Sequence, residues 1–273
     1  MKWPRRVTLV RHGHSGFNRI KEIQKQDPEY LKFVELFEKE MKTEKFPQWM
    51  NLWPDSCVSP ELLDMAKKML AKYKLDYGNR ETPLAELGWQ QAQKLGALLK
   101  AKITLPDIIL TSPYLRTRQT LWGAILGWPD LVNVKAENEP LVREIDTGIS
   151  NLFGNWRIME TFFPEQRFLY LKEGEYDYRY PQGENIPEVE QRSRELSSKL
   201  IREFRGKDVL IFSHHITILS FVSTQARWTP EQFMESNEKN PIKNCSYTIF
   251  ECDPKAGKSG QGKLVLKAFN QTA

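Results

Sequence analysis

Val7-Thr-Leu-Val-Arg-His-Gly-His-Ser-Gly16 is the stretch on which the reading of this chain turns. Val7 to Val10 is a short run rich in β-branched residues, the pattern of a buried strand, and it stops abruptly at Arg11, His12 and Gly13. A second run with the same plan, Val209-Leu-Ile-Phe-Ser-His-His215, lies far along the chain. The protein has four histidines in 273 residues, and all four, His12, His14, His214 and His215, fall at these two strand ends. Scattered structural histidines would not gather in this way.

Working outward, further β-runs are expected at Ile108 to Thr111 and Val132 to Ala136, alternating with helical periodicity. Leu84 to Lys102 repeats its leucines near helical spacing, Ser112-Pro113 opens another helix, and Pro187 to Phe204 makes a strongly charged third. Alternating strands and helices predict an α/β fold: three layers, α/β/α, around a mostly parallel central sheet. Ser246 to Glu251 and Lys263 to Phe269, flanking a Gly- and Lys-rich loop from Asp253 to Gly262, predict a hairpin that adds an antiparallel edge.

Between Asn18 and Thr82 the pattern changes to a polar helical region, with helices expected over Pro28 to Lys45, after a capping Asp27, and Pro60 to Tyr73, after Ser59. Leu62, Leu63, Ala66, Met69, Leu70 and Tyr73 share one face of the later helix, whereas Trp49 and Trp53 fall in the connection. The expected organisation is one domain over 1–273 with residues 19–81 as a helical insertion, either a cap over the active site or a surface elaboration.

Composition excludes several classes. With 40% hydrophobic and 27% charged residues, and no apolar run near the ~20 residues of a membrane helix, the chain reads as an ordinary soluble protein. No apolar signal core follows Met1, so the cytoplasm is the expected compartment. Cys57, Cys245 and Cys252 form no Cys-x-x-Cys pair and read as reduced thiols. Asn244-Cys-Ser246 and Asn270-Gln-Thr272 match a glycosylation pattern and are taken as coincidence. A net charge of +5, spread through mixed-sign helices, favours an anionic small molecule over nucleic acid or a membrane surface.

In open α/β sheets, residues that directly follow separate strands converge at the carboxyl edge. Four segments qualify here: Arg11-His12-Gly13, Ser112-Pro113 leading to Arg116, Arg143-Glu144, and His214-His215. Two arginines supply planar bidentate donors for a phosphate dianion. An imidazole held through one nitrogen and aimed through the other is a competent nucleophile, which gives His12 that role. A leaving alkoxide needs a proton, and Glu144 is the candidate acid, with Glu139 and Asp146 nearby in sequence. Glu184 reads as a loop or helix-terminus residue. Tyr176-Asp-Tyr-Arg-Tyr180 and Trp156-Arg157 could line a pocket, but aromatics in loops more often anchor them to a core.

The ordered set Leu9-Val-Arg-His-Gly-x-Ser15 with Asn18, then Thr111-Ser-Pro-Tyr-Leu-Arg-Thr-Arg-Gln-Thr120, then Ser213-His214, resembles the histidine phosphatase superfamily, closest to its phosphoglycerate-mutase-like branch. Pro83-Leu-Ala-Glu-Leu-Gly88 with Gln91-Ala92, and Gly183-Glu184 before a helix, extend the likeness. It implies a phosphohistidine at His12, a proton donor at Glu144, and a phosphate pocket of Arg11, Arg116 and His214 with help from Asn18. Ser15 and His215 join the expected substrate-binding set. No cofactor and no metal are implied. Two positions depart from the family pattern: His14 stands where another polar residue is usual, and His215 replaces a glycine.

The expected activity is metal-independent hydrolysis of a small phosphorylated metabolite through a phosphohistidine. The alternatives are phosphoglycerate-mutase-type transfer and a non-catalytic phosphate-binding protein in which His215 obstructs the site. Histidine pairs at strand ends also invite comparison with zinc sites, but two guanidinium groups beside them would repel a dication.

Overall fold

The computed structural model describes residues 2–42, 58–257 and 262–272. Trp49, Trp53 and Cys57 lie outside them. The described chain divides into two compact units, one of Met1–Gly16, Arg80–Ile145 and Ile186–Ala273, the other of Phe17–Asn79 and Asp146–Asn185. The second unit thus takes in Asp146–Asn185 as well as most of the stretch read from sequence as an insertion.

The first unit is built on a six-stranded sheet of order β3-β2-β4-β1-β5-β6. Its strands are β1 (Arg6–Arg11), β2 (Ile108–Thr111), β3 (Ala136–Asn138), β4 (Asp208–Ser213), β5 (Tyr247–Asp253) and β6 (Lys263–Gln271). The first four in the order run parallel, and β5 and β6 add the antiparallel edge. β4 is buried at every position and β1 at its four central ones, as strands covered on both faces must be.

One face of the sheet, carrying Val10, Ile109, Leu210 and Phe212, packs with Ala92, Leu95 and Leu99 of α4 (Glu86–Lys102) and with Leu121 and Ala124 of α5 (Leu115–Gly127). These two helices approach backbone to backbone. A Cβ on Gly96 would lie 2.0 Å from the Ala124 carbonyl oxygen, and one on Gly127 the same distance from that of Gln93. Side chains alternate across a strand, so Val7, Leu9 and Ile211 serve the other face. There Phe221 of α10 (His215–Ala226) meets Phe250 edge to face at 5.5 Å, and α10 packs on α9 (Ile186–Glu203). Helix α11 (Pro230–Lys239) follows, closed by a Thr229 and Gln232 capping box.

The third strand differs from its expected place. Val132 falls in a 3₁₀ turn, Pro129–Asn133, and is 67% exposed; pairing with β2 begins only at Ala136. Proline at the first position of that turn presets a helical φ, which overrides the β-branched pair Val132 and Val134. Leu84 pairs with Ser15 in an isolated bridge rather than entering α4.

The second unit contains α1 (Gly16–Gln26, from Phe17 onward), α2 (Pro28–Glu40), α3 (Pro60–Lys72), α6 (Ser150–Phe153), α7 (Trp156–Phe162) and α8 (Pro164–Glu173). Its core gathers Tyr30, Phe33, Phe37, Leu62, Ala66, Met69, Tyr73 and Ile158. Asp27 caps α2 by accepting from the Glu29 amide, and Ser59 caps α3 by accepting from that of Leu62. The two loop aromatic groups of the sequence reading are structural parts of this unit: the Arg157 guanidinium lies 4.1 Å over the Trp156 ring, and Tyr178 is 2% exposed with its hydroxyl on Gln166.

Candidate active site

The parallel pairing of β1 with β4 sets Arg11 opposite Ser213, so His12 and His214 leave adjacent strands at the same level. Their rings meet edge to face, with centroids 5.2 Å apart. β2, on the other side of β4, ends at Thr111, and Ser112 delivers a hydroxyl 2.8 Å from His214 Nε2. The turn continues into α5, whose first turn carries Arg116, 5% exposed. Tyr114 lies between these groups, 4.9 Å beneath the Arg116 guanidinium and 5.1 Å edge-on from His214.

Each ring is tied through one nitrogen. His12 Nδ1 lies 2.7 Å from the Gly13 carbonyl oxygen. A carbonyl only accepts, so Nδ1 bears the proton and Nε2 of the neutral ring keeps its lone pair. In His214 it is Nε2 that is engaged, by Ser112, and Nδ1, fully buried, has no protein partner. Burial holds both imidazoles well below the ordinary histidine range, with the charges of Arg116 and Arg11 acting in the same direction. Both rings are therefore neutral near pH 7.

The loop behind His12 is pinned from all sides. Thr120 Oγ1 accepts from the Gly13 amide and Gln91 Oε1 from that of His14. Asn244 Nδ2 and the Cys245 amide both reach the His12 carbonyl, at 3.0 and 3.3 Å. Asn244-Cys-Ser246, a chance glycosylation match in the sequence, thus belongs to the turn that supports this loop. Gly13 has no left-handed φ; it is needed for space, since a Cβ there would sit 2.6 Å from the Gly88 carbonyl oxygen, and one on Gly88 2.2 Å from that of His14.

The arginines supply the charge. Burial lowers Arg116 to about 10 and lowers Arg11 as well, against the favourable charge of Glu144, which bears on both. Arg11 donates through Nη1 to the Ile242 carbonyl, while its buried Nε has no protein partner. Of the carboxylates near this point in sequence, Glu139 is bonded to Lys199 at 2.5 Å and caps Leu141. Asp146, in the second unit, accepts from Gly148 and Asn151. Glu144 Oε1 accepts from the Ile145 amide and has Thr217 Oγ1 3.5 Å away.

The first unit therefore brings together Arg11, His12, Arg116, Glu144 and His214. His215 opens α10 next to His214, and its charged form would bear on His12. Ser15 is buried in the bridge to Leu84. Asn18 belongs to the second unit, as does Glu184, which accepts from the Asp146 amide. Sequence reasoning missed Arg192 and Thr217, which bond the segment carrying Glu144. Among the described residues, no cluster of three or more His, Cys, Asp or Glu could hold a metal ion. Nor is any helix there long and apolar enough to cross a membrane.

Comparison with known proteins agrees with this architecture. A model of the histidine phosphatase superfamily, branch 1, matches residues 71–260, a span that includes Arg116, Glu144 and His214. The chain is 27% identical over 211 residues to a phosphoglycerate mutase-like protein of Arabidopsis thaliana, covering 67% of each. It is 28% identical over 190 residues to a 2,3-bisphosphoglycerate-dependent phosphoglycerate mutase of Parvibaculum lavamentivorans, covering 68% of this chain and 86% of that protein. Among solved structures, a putative alpha-ribazole-5'-P phosphatase from Escherichia coli superposes with a TM-score of 0.63 at 16% identity, over 99% of this chain and 98% of that one. A mycobacterial glucosyl-3-phosphoglycerate phosphatase in complex with inorganic phosphate does so at 0.60 and 16%, over 98% of each. At such identity the structural likeness speaks for the fold.

Proposed function

The chain belongs to the histidine phosphatase superfamily, and from that premise we propose that it is a phosphomonoesterase that hydrolyses a small phosphorylated metabolite through a phosphohistidine at His12. The observation that carries this reading is the bond from His12 Nδ1 to Gly13, which leaves the Nε2 lone pair free beside the charges of Arg116 and Arg11 and the unpartnered Nδ1 of His214.

In the proposed reaction the guanidinium groups of Arg11 and Arg116 take the non-bridging phosphate oxygens as bidentate donors. Ser112 Oγ accepts from the Tyr114 amide at 3.3 Å, and its own proton is assigned to His214 Nε2, 2.8 Å away. That leaves His214 Nδ1–H as a further donor to the phosphate. His12 Nε2 attacks phosphorus; the N–P bond forms as the bond to the substrate oxygen breaks, and the Glu144 carboxyl gives its proton to the departing alkoxide. Water then attacks the phosphohistidine, passing a proton to the Glu144 carboxylate as the N–P bond breaks, which restores both groups. Ser15 and His215 are assigned to substrate binding.

A panel of phosphorylated metabolites, assayed with and without a 2,3-bisphosphoglycerate primer, tests the reading together with alkaline quenching, which preserves an acid-labile phosphoenzyme. Primer-independent phosphate release with label on His12 is expected. The mutase relatives favour a second reading, phosphoryl transfer between substrate positions; primer-dependent isomerisation without net phosphate release would select it.

A further inference from the structure

We propose that Arg192, on α9, is a positioning residue for the acid–base step, fixing the backbone strap that carries Glu144. The strap is short of regular structure. A single 3₁₀ turn, Pro140–Val142, gives way to extended backbone at Arg143, so the carbonyls of residues 141–144 have no helix ahead to bond them. Side chains do so instead. Arg192 Nη1 donates to the carbonyls of Leu141 at 2.8 Å and Arg143 at 3.2 Å, and Nη2 reaches that of Glu144 at 3.5 Å. Ser213 Oγ donates to Val142 at 2.8 Å and Thr217 Oγ1 to Arg143 at 2.5 Å. Four consecutive carbonyls are thus bonded from α9, β4 and α10, the last two being the elements that flank His214.

Arg192, 7% exposed, is the one buried cation among the buried residues of its helix, which are otherwise Ile186, Val189, Glu190, Ser193, Leu196, Ser197 and Leu200. Burying a guanidinium is costly unless its donors are used, and the strap's carbonyls use them across a fork that only arginine spans. Its charge also bears on His214. Thr217 completes the arrangement: its hydroxyl donates to the Arg143 carbonyl, which brings Oγ1 to 3.5 Å from Glu144 Oε1.

This inference rests on Glu144 as the proton donor, and the test separates the two. Values of kcat/KM for Arg192→Ala, Arg192→Lys and Glu144→Gln are compared on glycerol 2-phosphate, whose alkoxide needs a proton, and on 4-nitrophenyl phosphate, whose phenolate leaves without one. A general acid contributes about 10²- to 10⁴-fold. Glu144→Gln is expected to lose that on the glycerol ester and much less on the nitrophenyl ester. Arg192→Ala should show the same dependence at smaller size, about 10- to 100-fold against under 10-fold, with Arg192→Lys between it and wild type. Equal losses on both esters in Arg192→Ala, beside a leaving-group dependence in Glu144→Gln, would make Arg192 merely structural and overturn the inference. Absence of the dependence in Glu144→Gln would overturn the Glu144 assignment, and the inference with it. If circular dichroism finds Arg192→Ala unfolded, Arg192→Lys and Thr217→Val decide by the same two-ester ratio.

Discussion

His12 and His214 leave neighbouring parallel strands at one register level, yet one ring is tied through Nδ1 to its own chain and the other through Nε2 to the serine of a third strand end. The first arrangement presents a lone pair, and the second, with Ser112 donating, presents an N–H. Identical residues at equivalent positions are thereby given opposite electronic roles by which nitrogen the scaffold occupies. An imidazole acts as nucleophile or as anion donor according to the bond made behind it.

Replacing each ring in turn should separate the roles. His12→Ala is expected to lower kcat/KM by at least about 10⁴-fold and to abolish the acid-labile phosphoenzyme, since the bond-forming atom is gone. His214→Ala removes one donor to the phosphate and should cost about 10²- to 10³-fold, with phosphoenzyme still trapped on rapid quench. Equal losses and no trapped intermediate in either variant would break the comparison.

Next in size are the glycines that let the first of these loops sit where it does. Gly88→Ala should cost about 1–3 kcal/mol of stability, because its Cβ would fall 2.2 Å from the His14 carbonyl oxygen and backbone cannot step aside as a side chain can. Thermal unfolding measures this; an unchanged Tm would mean that α4 does not press on the loop. Ser112→Ala sharpens the other half of the comparison. Losing one neutral hydrogen bond behind His214 should reduce kcat/KM by about 3- to 10-fold, and nothing further should be lost when it is combined with His214→Ala.

How legible this was follows from the kind of interaction involved. β1 and β4 were visible because both are buried on two faces, so their apolar runs are continuous and end where chemistry begins. β3 was not: Ala136–Asn138 has no strand composition and is a strand only because β2 offers it an edge. In the site, Arg11, His12, Arg116 and His214 announce themselves as polar groups at strand ends. Arg192 and Thr217 sit inside ordinary helix patterns and act through bonds spanning 49 and 74 residues, a relation that periodicity does not encode. Asn244 was visible, but as the wrong motif, because its partner His12 lies 232 residues away. The clustering of Asp146–Asn185 with Phe17–Asn79 was equally hidden, since the aromatic residues of the later segment read as loop anchors with nothing to say which core they join.

The smallest effect concerns proton linkage. Both histidines are held well below 6.5 by burial and by the arginines, so as pH falls below 6.5 the unfolded chain takes up protons that the folded one refuses. Stability is therefore full above 6.5 and is lost on acidification, by at most about 1.4 kcal/mol per pH unit for each ring. Glu160, in the second unit, pulls the other way. It is 1% exposed and burial raises its carboxyl to about 8, so between 8 and 4.5 the folded chain holds the extra proton and stability rises on acidification. Between pH 6.5 and 5 two rings oppose one carboxyl, and wild type should lose stability on balance. Chemical unfolding at pH 7 and pH 5.5 checks this by difference. His214→Asn should lose less than wild type between these pH values and Glu160→Gln should lose more. A His214→Asn variant that loses as much as wild type would mean that the buried ring accepts a proton in the folded state, and the neutral donor assigned to it would have to be abandoned.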